Sequence, residues 1–177
     1  MEARDYQWVD RVEAACLTVI VGGSEQAVLA ALGAAPETRH MASFRPAEAA
    51  WSRDSAPLQI WSSQKYLVIV EPNGYQASLP ETLLAMADGA DAVSVFWNIN
   101  AQMQVAVASH GEIVRTFDPL MYDDGEPPLS EEHGLTFGSD GAVLPAAFVF
   151  LERRTGFVAT AVDVVDAEHP TYHHGNG

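Results

Sequence analysis

The sequence predicts an α+β fold, a mainly antiparallel, twisted sheet of about five to seven strands with helices packed on it. Strand-like runs rich in β-branched residues recur along the 177-residue chain, and helix-like segments with capping residues separate some of them. Three alternating runs also follow one another from Ala92 to Asp118 with short turns between them, which is typical of an antiparallel meander. We expect one globular domain over residues 1–168 and a flexible C-terminal tail over residues 169–177.

The first third of the chain predicts a helix, a strand and a second helix. A short helix is expected over Tyr6 to Ala14, and a β-rich strand over Cys16 to Val21. The next helix is expected to be capped by Ser24 and to end at Gly33. Residues 34–56 are polar and mixed, so we expect a loop there apart from one or two helical turns.

The middle of the chain predicts a hairpin and then a strand-to-helix corner. Leu58 to Ser62 and Tyr66 to Glu71 are separated by a short connection, as in an antiparallel hairpin. The corner follows at Pro72-Asn73-Gly74, where Asn73 and Gly74 are expected to adopt positive φ angles. A capping box over Ser78 to Glu81 then begins a helix that reaches about Ala87.

The last third predicts a loop, a helix and a final strand. Residues 119–141 combine acidic residues with prolines and glycines, so we expect a long irregular loop there. A helix follows over Ala142 to Arg154, and its terminal Arg153 and Arg154 suit the helix dipole. The segment from Phe157 to Val165 predicts one more strand.

The charge of the chain limits the classes of partner. The formal net charge is −15, and the nine Lys and Arg residues are scattered along the sequence rather than clustered. This pattern argues against binding of nucleic acid and against binding of an anionic membrane surface. It favours a solvated acidic surface, a basic protein partner or a bound cation. No secretory signal is recognisable, so we expect a cytoplasmic protein.

Cysteine and histidine patterns give no catalytic or metal-binding motif. Cys16 is the single cysteine and lies in an apolar run, which is typical of a small buried side chain rather than a reactive thiolate. The spacing of His169, His173 and His174 resembles a set of metal ligands, but in a frayed tail it would hold a metal only loosely. We therefore expect no metal site and no cofactor.

Polar side chains at strand ends form the best candidate site. If the helix after the corner joins the strands 66–71 and 92–99 as a parallel crossover, the ends of both strands share one edge of the sheet. Carboxylate, amide and phenol groups beside an aromatic ring are typical of a polar-ligand pocket. The alternative is that these side chains only cap the corner and bond loop amides. The candidate ligand-binding residues are Glu71, Asn73, Tyr75, Trp97, Asn98, Asn100 and Asp118.

Several stretches together resemble a known family. They are the strand start Cys16-Leu-Thr-Val with the glycine-rich helix start after it, Val70-Glu-Pro-Asn-Gly-Tyr75 and Ala92-Val-Ser-Val-Phe-Trp-Asn-Ile-Asn-Ala101, extended by Phe117-Asp-Pro119 and Glu152-Arg-Arg-Thr-Gly156. In these the chain resembles small bacterial proteins, common in actinobacteria, that are grouped as a domain of unknown function. The resemblance extends over most of residues 6–165 and implies no activity. The acidic segment 122–132 and the histidine-containing tail do not belong to the pattern.

Two functions of different classes follow. The first expectation is a non-catalytic, acidic interaction protein that binds another protein, in the manner of an immunity protein or an adaptor. Acidity, the acidic loop and the lack of a catalytic set in the sequence favour it. The alternative is a small-molecule-binding protein or an enzyme whose site lies around Glu71, Tyr75, Asn98 and Asn100.

Overall fold

A computed structural model of the protein describes residues 6–122, 126–138 and 142–175. These residues form an open sheet in which every neighbouring pair of strands is antiparallel, with helices packed on it. The strands are β1 Ala15–Val21, β2 Ala34–Ala42, β3 Ala56–Ser63, β4 Tyr66–Pro72, β5 Ala92–Trp97, β6 Met103–Ser109, β7 Glu112–Phe117 and β8 His169–His174. The helices are α1 Glu25–Leu32, α2 Phe44–Ala49, α3 Pro80–Ala87 and α4 Val143–Thr155, with 3-10 helices at Gln7–Arg11, Gln76–Ser78 and Ser130–Glu132 and a π-helical turn at Val162–Asp166.

The strand order in the sheet is β2-β8-β3-β4-β1-β5-β6-β7. The predicted α+β class is confirmed, whereas the prediction of five to seven strands is wrong because the described residues form eight. None of the helices in the described residues is long and apolar enough to cross a membrane.

Helices cover both faces of the sheet. On one face, Leu17 and Val70 share a core with Phe148 of α4. On the other face, Ile69 shares a second core with Leu83 of α3 and with residues of α1. Because both faces are buried, the central strands are apolar at nearly every position instead of alternating with polar residues. This explains the uninterrupted apolar runs of β1 and β4.

Strands β4 and β5 are parallel to each other but not adjacent. Strand β1 lies between them and is antiparallel to both, with Ala15 opposite both Pro72 and Trp97. Helix α3 connects them, as predicted, so the C-terminal ends of β4 and β5 reach the same edge of the sheet. With β1 between them the two strands are about 10 Å apart.

Residues 34–56 are not mainly the loop that the sequence predicts, because β2 lies there, whereas helix α2 agrees with the one or two helical turns expected in this segment. Strand β2 is at the edge of the sheet and pairs with β8 through a register shift between Ala35 and His40. An edge strand tolerates Pro36 and exposes most of its side chains, so its sequence lacks the apolar alternation of a central strand.

The predicted flexible tail is also corrected, since His169–His174 is strand β8 between β2 and β3. It pairs with both neighbouring strands, and Tyr172 is buried in the core beside α1 and α3. The strand predicted over residues 157–165 is wrong. Phe157 and Val164 are buried against the α4 face of the sheet, in a loop and in the π-helical turn, without joining a strand.

We predict that Tyr172→Ala lowers the free energy of unfolding by about 3 to 5 kcal/mol, because a fully packed aromatic ring leaves a cavity. Urea unfolding measures this change. The matched control is Tyr75→Ala, at a side chain that is 51% exposed, which should cost less than about 1 kcal/mol. Equal losses at the two positions would show that β8 does not contribute to the core.

Candidate functional site

Glu71 lies near the end of β4 and is completely buried. Its Oε1 atom accepts a hydrogen bond of 3.1 Å from the backbone N–H of Gln76, and its Oε2 atom accepts one of 2.8 Å from Ala77. Both donors belong to the first turn of the 3-10 helix Gln76–Ser78, where free N–H groups favour a negative charge. The carboxylate therefore closes the corner that follows β4.

Gly74 allows the corner to fold tightly over this carboxylate. A Cβ atom at position 74 would lie 2.8 Å from the Cβ of Glu71 and 3.2 Å from its Oε1, so only glycine fits without a shift. In the described chain the positive φ angle at this turn, 56°, belongs to Asn73 and not to Gly74. The prediction of a positive φ at Gly74 is therefore wrong, and close packing is the reason for the glycine.

The predicted capping box of α3 is also wrong. Helix α3 begins at Pro80 after Leu79, and a leucine side chain cannot accept a hydrogen bond. Ser78 instead donates its hydroxyl to the carbonyl of Tyr75 at 2.7 Å, which completes the 3-10 turn below Glu71. The predicted position of Pro80 in the first turn of the helix is confirmed.

Buried polar side chains continue from Glu71 across β1. Cys16 is the cross-strand partner of Glu71, and its Sγ lies 3.1 Å from Oγ of Ser94. Thr18 donates its hydroxyl to the same Ser94 Oγ at 3.0 Å. Burial and, secondly, the negative charge of Glu71 raise the pKa of the Cys16 thiol well above its usual value. Cys16 is thus a neutral buried thiol rather than a nucleophile.

The environment of Glu71 shifts its ionisation to neutral pH. Burial raises the pKa of the Glu71 carboxyl to about 7, although the backbone N–H groups of Ala77 and Gln76 act in the opposite direction. The carboxyl group can therefore gain or lose a proton under physiological conditions, unlike an exposed glutamate.

Strand β8 brings His174 to Glu71. The Nε2 atom of His174 lies 3.9 Å from Oε1 of Glu71, and the imidazole is almost completely buried. Its Nδ1 atom lies 3.2 Å from the carbonyl oxygen of Gly175. Within the part of the chain that the structure describes, Nε2 has no hydrogen-bond partner. Burial lowers the pKa of His174, so the ring is neutral at pH 7.

A pocket of about 180 Å³ opens beside Glu71 and His174. Two aromatic side chains line it, Trp51 at 39% exposure and Tyr75 at 51%. Apolar walls around a few converging polar groups are typical of small-ligand sites. The remaining lining residues are Arg53, Ala56, Asn73, Gly74 and Gln76.

Three of the residues expected at the site, Glu71, Asn73 and Tyr75, line this pocket together. Trp97 does not, because its side chain lies on the opposite face of the sheet, in the core beside α4. Its indole N–H donates to the carbonyl of Val12 at 2.8 Å.

The other expected site residues bond their own loops. The Oδ1 of Asn98 accepts the backbone N–H groups of Asn100 and Gln102 at 2.9 and 3.1 Å, which shapes the turn between β5 and β6. Asn100 is exposed in that turn. Asp118 accepts the backbone N–H of Leu120 at 2.8 Å. The ends of β4 and β5 do share one edge of the sheet, as expected. However, Asn98, Asn100 and Asp118 are not among the residues that line the pocket.

Sequence reasoning missed six of the nine residues that line the pocket, and His174, Trp51 and Arg53 are the large side chains among them. Trp51 and Arg53 lie between α2 and β3, in the segment expected to be a loop, and His174 lies in the segment expected to be frayed. His174 approaches Glu71 because β8 pairs with β3, where Ala56 is opposite His174. No local pattern in the sequence carries that long-range pairing.

The acidic loop after β7 is held by hydrogen bonds and ion pairs to the buried side chain of Arg115. The buried Arg115 of β7 holds the buried carboxylate of Glu132 through two bonds, Nε–Oε1 at 3.0 Å and Nη2–Oε2 at 3.1 Å. Tyr122 donates its hydroxyl to the same carboxylate at 2.6 Å. Burial acts to raise the pKa of Glu132, but the bonds from Arg115 and Tyr122 outweigh it, so this pKa is lowered.

The arginine pair at the end of α4 holds the same loop. Arg154 pairs with the carboxylate of Glu131 at 2.9 Å. Arg153 donates to the carbonyl oxygens of Glu131 and His133 at 2.9 and 2.8 Å. The pair thus has a specific role beyond the helix dipole that the sequence indicates. The acidic residues at 123 and 124 of the predicted loop lie outside the described residues.

Comparison with known proteins gives a family but no function. A family model described as a family of unknown function (DUF6461) matches residues 1–128. No curated protein matches the chain, and no solved structure matches it either. The match includes β4 and the corner with Glu71 and Tyr75, and it ends before β8 with His174. In the described residues no cluster of three His, Cys, Asp or Glu side chains is arranged to hold a metal ion.

We predict that the stability difference between the wild type and Glu71→Gln depends on pH. The folded carboxyl has a pKa of about 7 against 4.5 when solvated, so the folded state binds more protons between these values. The stabilisation is complete below pH 4.5 and is lost as the pH rises through 7. The difference in free energy of unfolding, wild type minus variant, should fall by about 2 to 3 kcal/mol from pH 5 to pH 8.

Urea unfolding across this pH range measures the difference directly, and subtraction removes the titration of unrelated groups. Glu132→Gln is the control, because the lowered pKa of Glu132 leaves it ionised in both states above about pH 6. Its difference from the wild type should therefore be constant from pH 6 to pH 8. A difference for Glu71→Gln that is equally constant would contradict the buried carboxyl described above.

Proposed function

Because the chain belongs to DUF6461, a family of unknown function, we propose its function from its own geometry, as a protein that binds a small molecule in the pocket over Glu71 and His174. One observation carries the proposal. At the floor of the pocket a buried imidazole nitrogen without a partner among the described residues faces a buried carboxylate oxygen at 3.9 Å. Buried polar atoms are nearly always hydrogen-bonded, so an acceptor of this kind beside a cavity favours the binding of a hydrogen-bond donor there.

The size of the pocket supports a ligand of about one ring. An apolar cavity of about 150 Å³ is known to hold benzene. The pocket here measures about 180 Å³, which leaves room for a ring and one short polar group. The exposed parts of Trp51 and Tyr75 at its walls would be covered by such a ligand, which gives a favourable apolar contribution.

The pocket is built on rigid parts of the fold. Glu71 is fixed by two backbone hydrogen bonds, and its neighbour Gly74 is packed against it. His174 belongs to a strand that pairs with neighbours on both sides. A pre-formed site loses little conformational entropy when it binds, so even a small ligand can be held.

A second candidate function is the binding of a basic protein. Arg115, Arg153 and Arg154 are three of the nine basic residues, and all three are bonded to the acidic loop inside the molecule. The formal net charge of −15 is the excess of 24 acidic residues over nine basic ones, so acidic groups predominate in the chain. A strongly acidic surface attracts a basic partner and speeds its association.

Both proposals take the chain to act in the cytoplasm, without nucleic acid or membrane as a partner. The scattered basic residues support this view. The bacterial, and specifically actinobacterial, origin that the resemblance implies stays a prediction. For a ligand-binding protein the reaction, if one follows binding, would use the titratable Glu71 carboxyl as acid or base.

We predict that single-ring fragments bind in this pocket. A screen by ¹H–¹⁵N NMR should use neutral, basic and acidic fragments. The expected result is a shift of the backbone signals of Gln76 and Ala77 and of the indole signal of Trp51, because these groups surround the pocket floor and wall. Loss of stacking in Trp51→Ala or Tyr75→Ala should weaken binding about 3- to 10-fold.

Ile99→Ala is the matched control, since Ile99 is an exposed apolar residue in the turn after β5 and does not line the pocket. Its affinity for the fragments should equal that of the wild type. Signals that shift across the whole surface, or fragments that bind the Trp51 and Tyr75 variants as well as the wild type, would refute the proposed site.

For the second candidate we predict a salt-dependent complex. The association rate with a basic partner should fall at least about tenfold between low salt and about 0.3 M salt, because screening removes long-range attraction. Surface plasmon resonance at a series of salt concentrations measures it. An association rate that does not change with salt would rule out recognition by the acidic surface.

A further inference from the structure

We propose that the ligand of this pocket carries an amine or amidine group that donates hydrogen bonds to both Glu71 Oε1 and His174 Nε2. The inference rests on the proposed small-molecule function and specifies the chemical class of the ligand. It follows from the hydrogen-bonding character of the two atoms at the pocket floor, from the distance between them, and from the charge of the groups around them.

His174 lines the pocket, and the hydrogen bonding of its ring determines which nitrogen is an acceptor. Its Nδ1 lies 3.2 Å from the carbonyl oxygen of Gly175, and a carbonyl can only accept, so Nδ1 carries the hydrogen. In a neutral imidazole the other ring nitrogen is then an acceptor. The burial of His174 favours this neutral form. Nε2 is therefore an acceptor without a donor in the described part of the chain.

Glu71 presents a second acceptor beside it. Oε1 already accepts the backbone N–H of Gln76, but a carboxylate oxygen can accept more than one hydrogen bond. The 3.9 Å between Oε1 and Nε2 is too long for a direct hydrogen bond. A nitrogen at about 2.8 Å from both atoms would lie only about 2 Å from the line that joins them. A group with at least two N–H bonds satisfies both acceptors at once.

Other polar groups fit this floor less well. A hydroxyl group has one hydrogen and can donate to only one of the two acceptors. A carboxylate would bring more acceptor oxygens, and a negative charge, against Glu71. A protonated amine instead offsets the cost of burying an ionised Glu71 carboxylate. Trp51 and Tyr75 at the walls also favour a cation, because aromatic faces attract positive charge.

Arg53 is the lining residue that opposes a cation. Its guanidinium group has the same sign as an ammonium group, and it has an interaction of its own in the structure. The selection of an amine therefore comes from the acceptor pair at the floor and not from the charge at the wall. The amine end of the ligand is expected at the floor, with its ring toward Trp51 and Tyr75.

The test uses three probes that share a benzene ring, namely benzylamine, benzyl alcohol and benzoate. Their dissociation constants are measured by NMR titration of the full chain at pH 7.5, with the backbone signals of Gln76 and Ala77 as reporters. Benzylamine should bind at least about tenfold more tightly than benzyl alcohol, because hydrogen bonds to a charged group are the stronger ones. Benzoate should not bind.

Variants test whether the preference for benzylamine over benzyl alcohol comes from Glu71 and His174. In Glu71→Gln the ratio of the benzyl alcohol to the benzylamine dissociation constant should fall toward one. His174→Ala, which leaves the corner bonds of Glu71 in place, should reduce the same ratio and covers the case in which Glu71→Gln does not fold. Glu81→Gln removes an exposed carboxylate of α3 outside the pocket and should leave the ratio unchanged.

Three outcomes are decisive. The expected order, with the preference lost in both floor variants, supports an amine ligand. Binding of benzyl alcohol or benzoate that is as tight as that of benzylamine overturns the amine inference and leaves the small-molecule function standing. If none of the three probes binds at millimolar concentration, while the chain is folded, both the inference and the proposed one-ring pocket are overturned.

Discussion

The buried carboxylate of Glu71 is the interaction on which the site depends. It is bonded to the backbone of the 3-10 turn below it, packed against Gly74, and faces His174 across the pocket floor. Without it, the backbone N–H groups of Gln76 and Ala77 would lose their acceptor, which would destabilise the tight corner after β4. The Glu71 side chain therefore both stabilises the corner and forms part of the proposed binding site.

The helices on both faces of the sheet explain why a carboxylate can be buried at its edge. Helices cover both faces, so the end of β4 is screened from water by α3 and its 3-10 turn. The late strand β8 completes the enclosure by placing His174 beside β3. Burial raises the pKa of Glu71. Because His174 is neutral, it does not offset the negative charge of an ionised Glu71 carboxylate. A donor from outside the chain would complete this arrangement.

Local chemistry in the sequence predicted much of the frame. Ser24 caps α1 and Gly33 ends it in the left-handed region, as expected, and the β3–β4 hairpin and α4 lie where they were predicted. The corner residues Glu71 and Tyr75 were found because they are close in sequence. His174 and β8 were missed because pairing between distant strands, not composition, makes a polar segment part of a sheet. Asn98 points into its own turn, which alternation along a strand does not reveal.

The most direct measurement is a pH titration of the side-chain carboxyl carbon of Glu71 by NMR, first alone and then with benzylamine. We expect a transition near pH 7 in the free protein, because the carboxyl group is desolvated, and a shift of that transition to lower pH when the amine binds. A transition near the ordinary value of 4.5 that benzylamine does not move would contradict both the buried carboxyl and its role in binding.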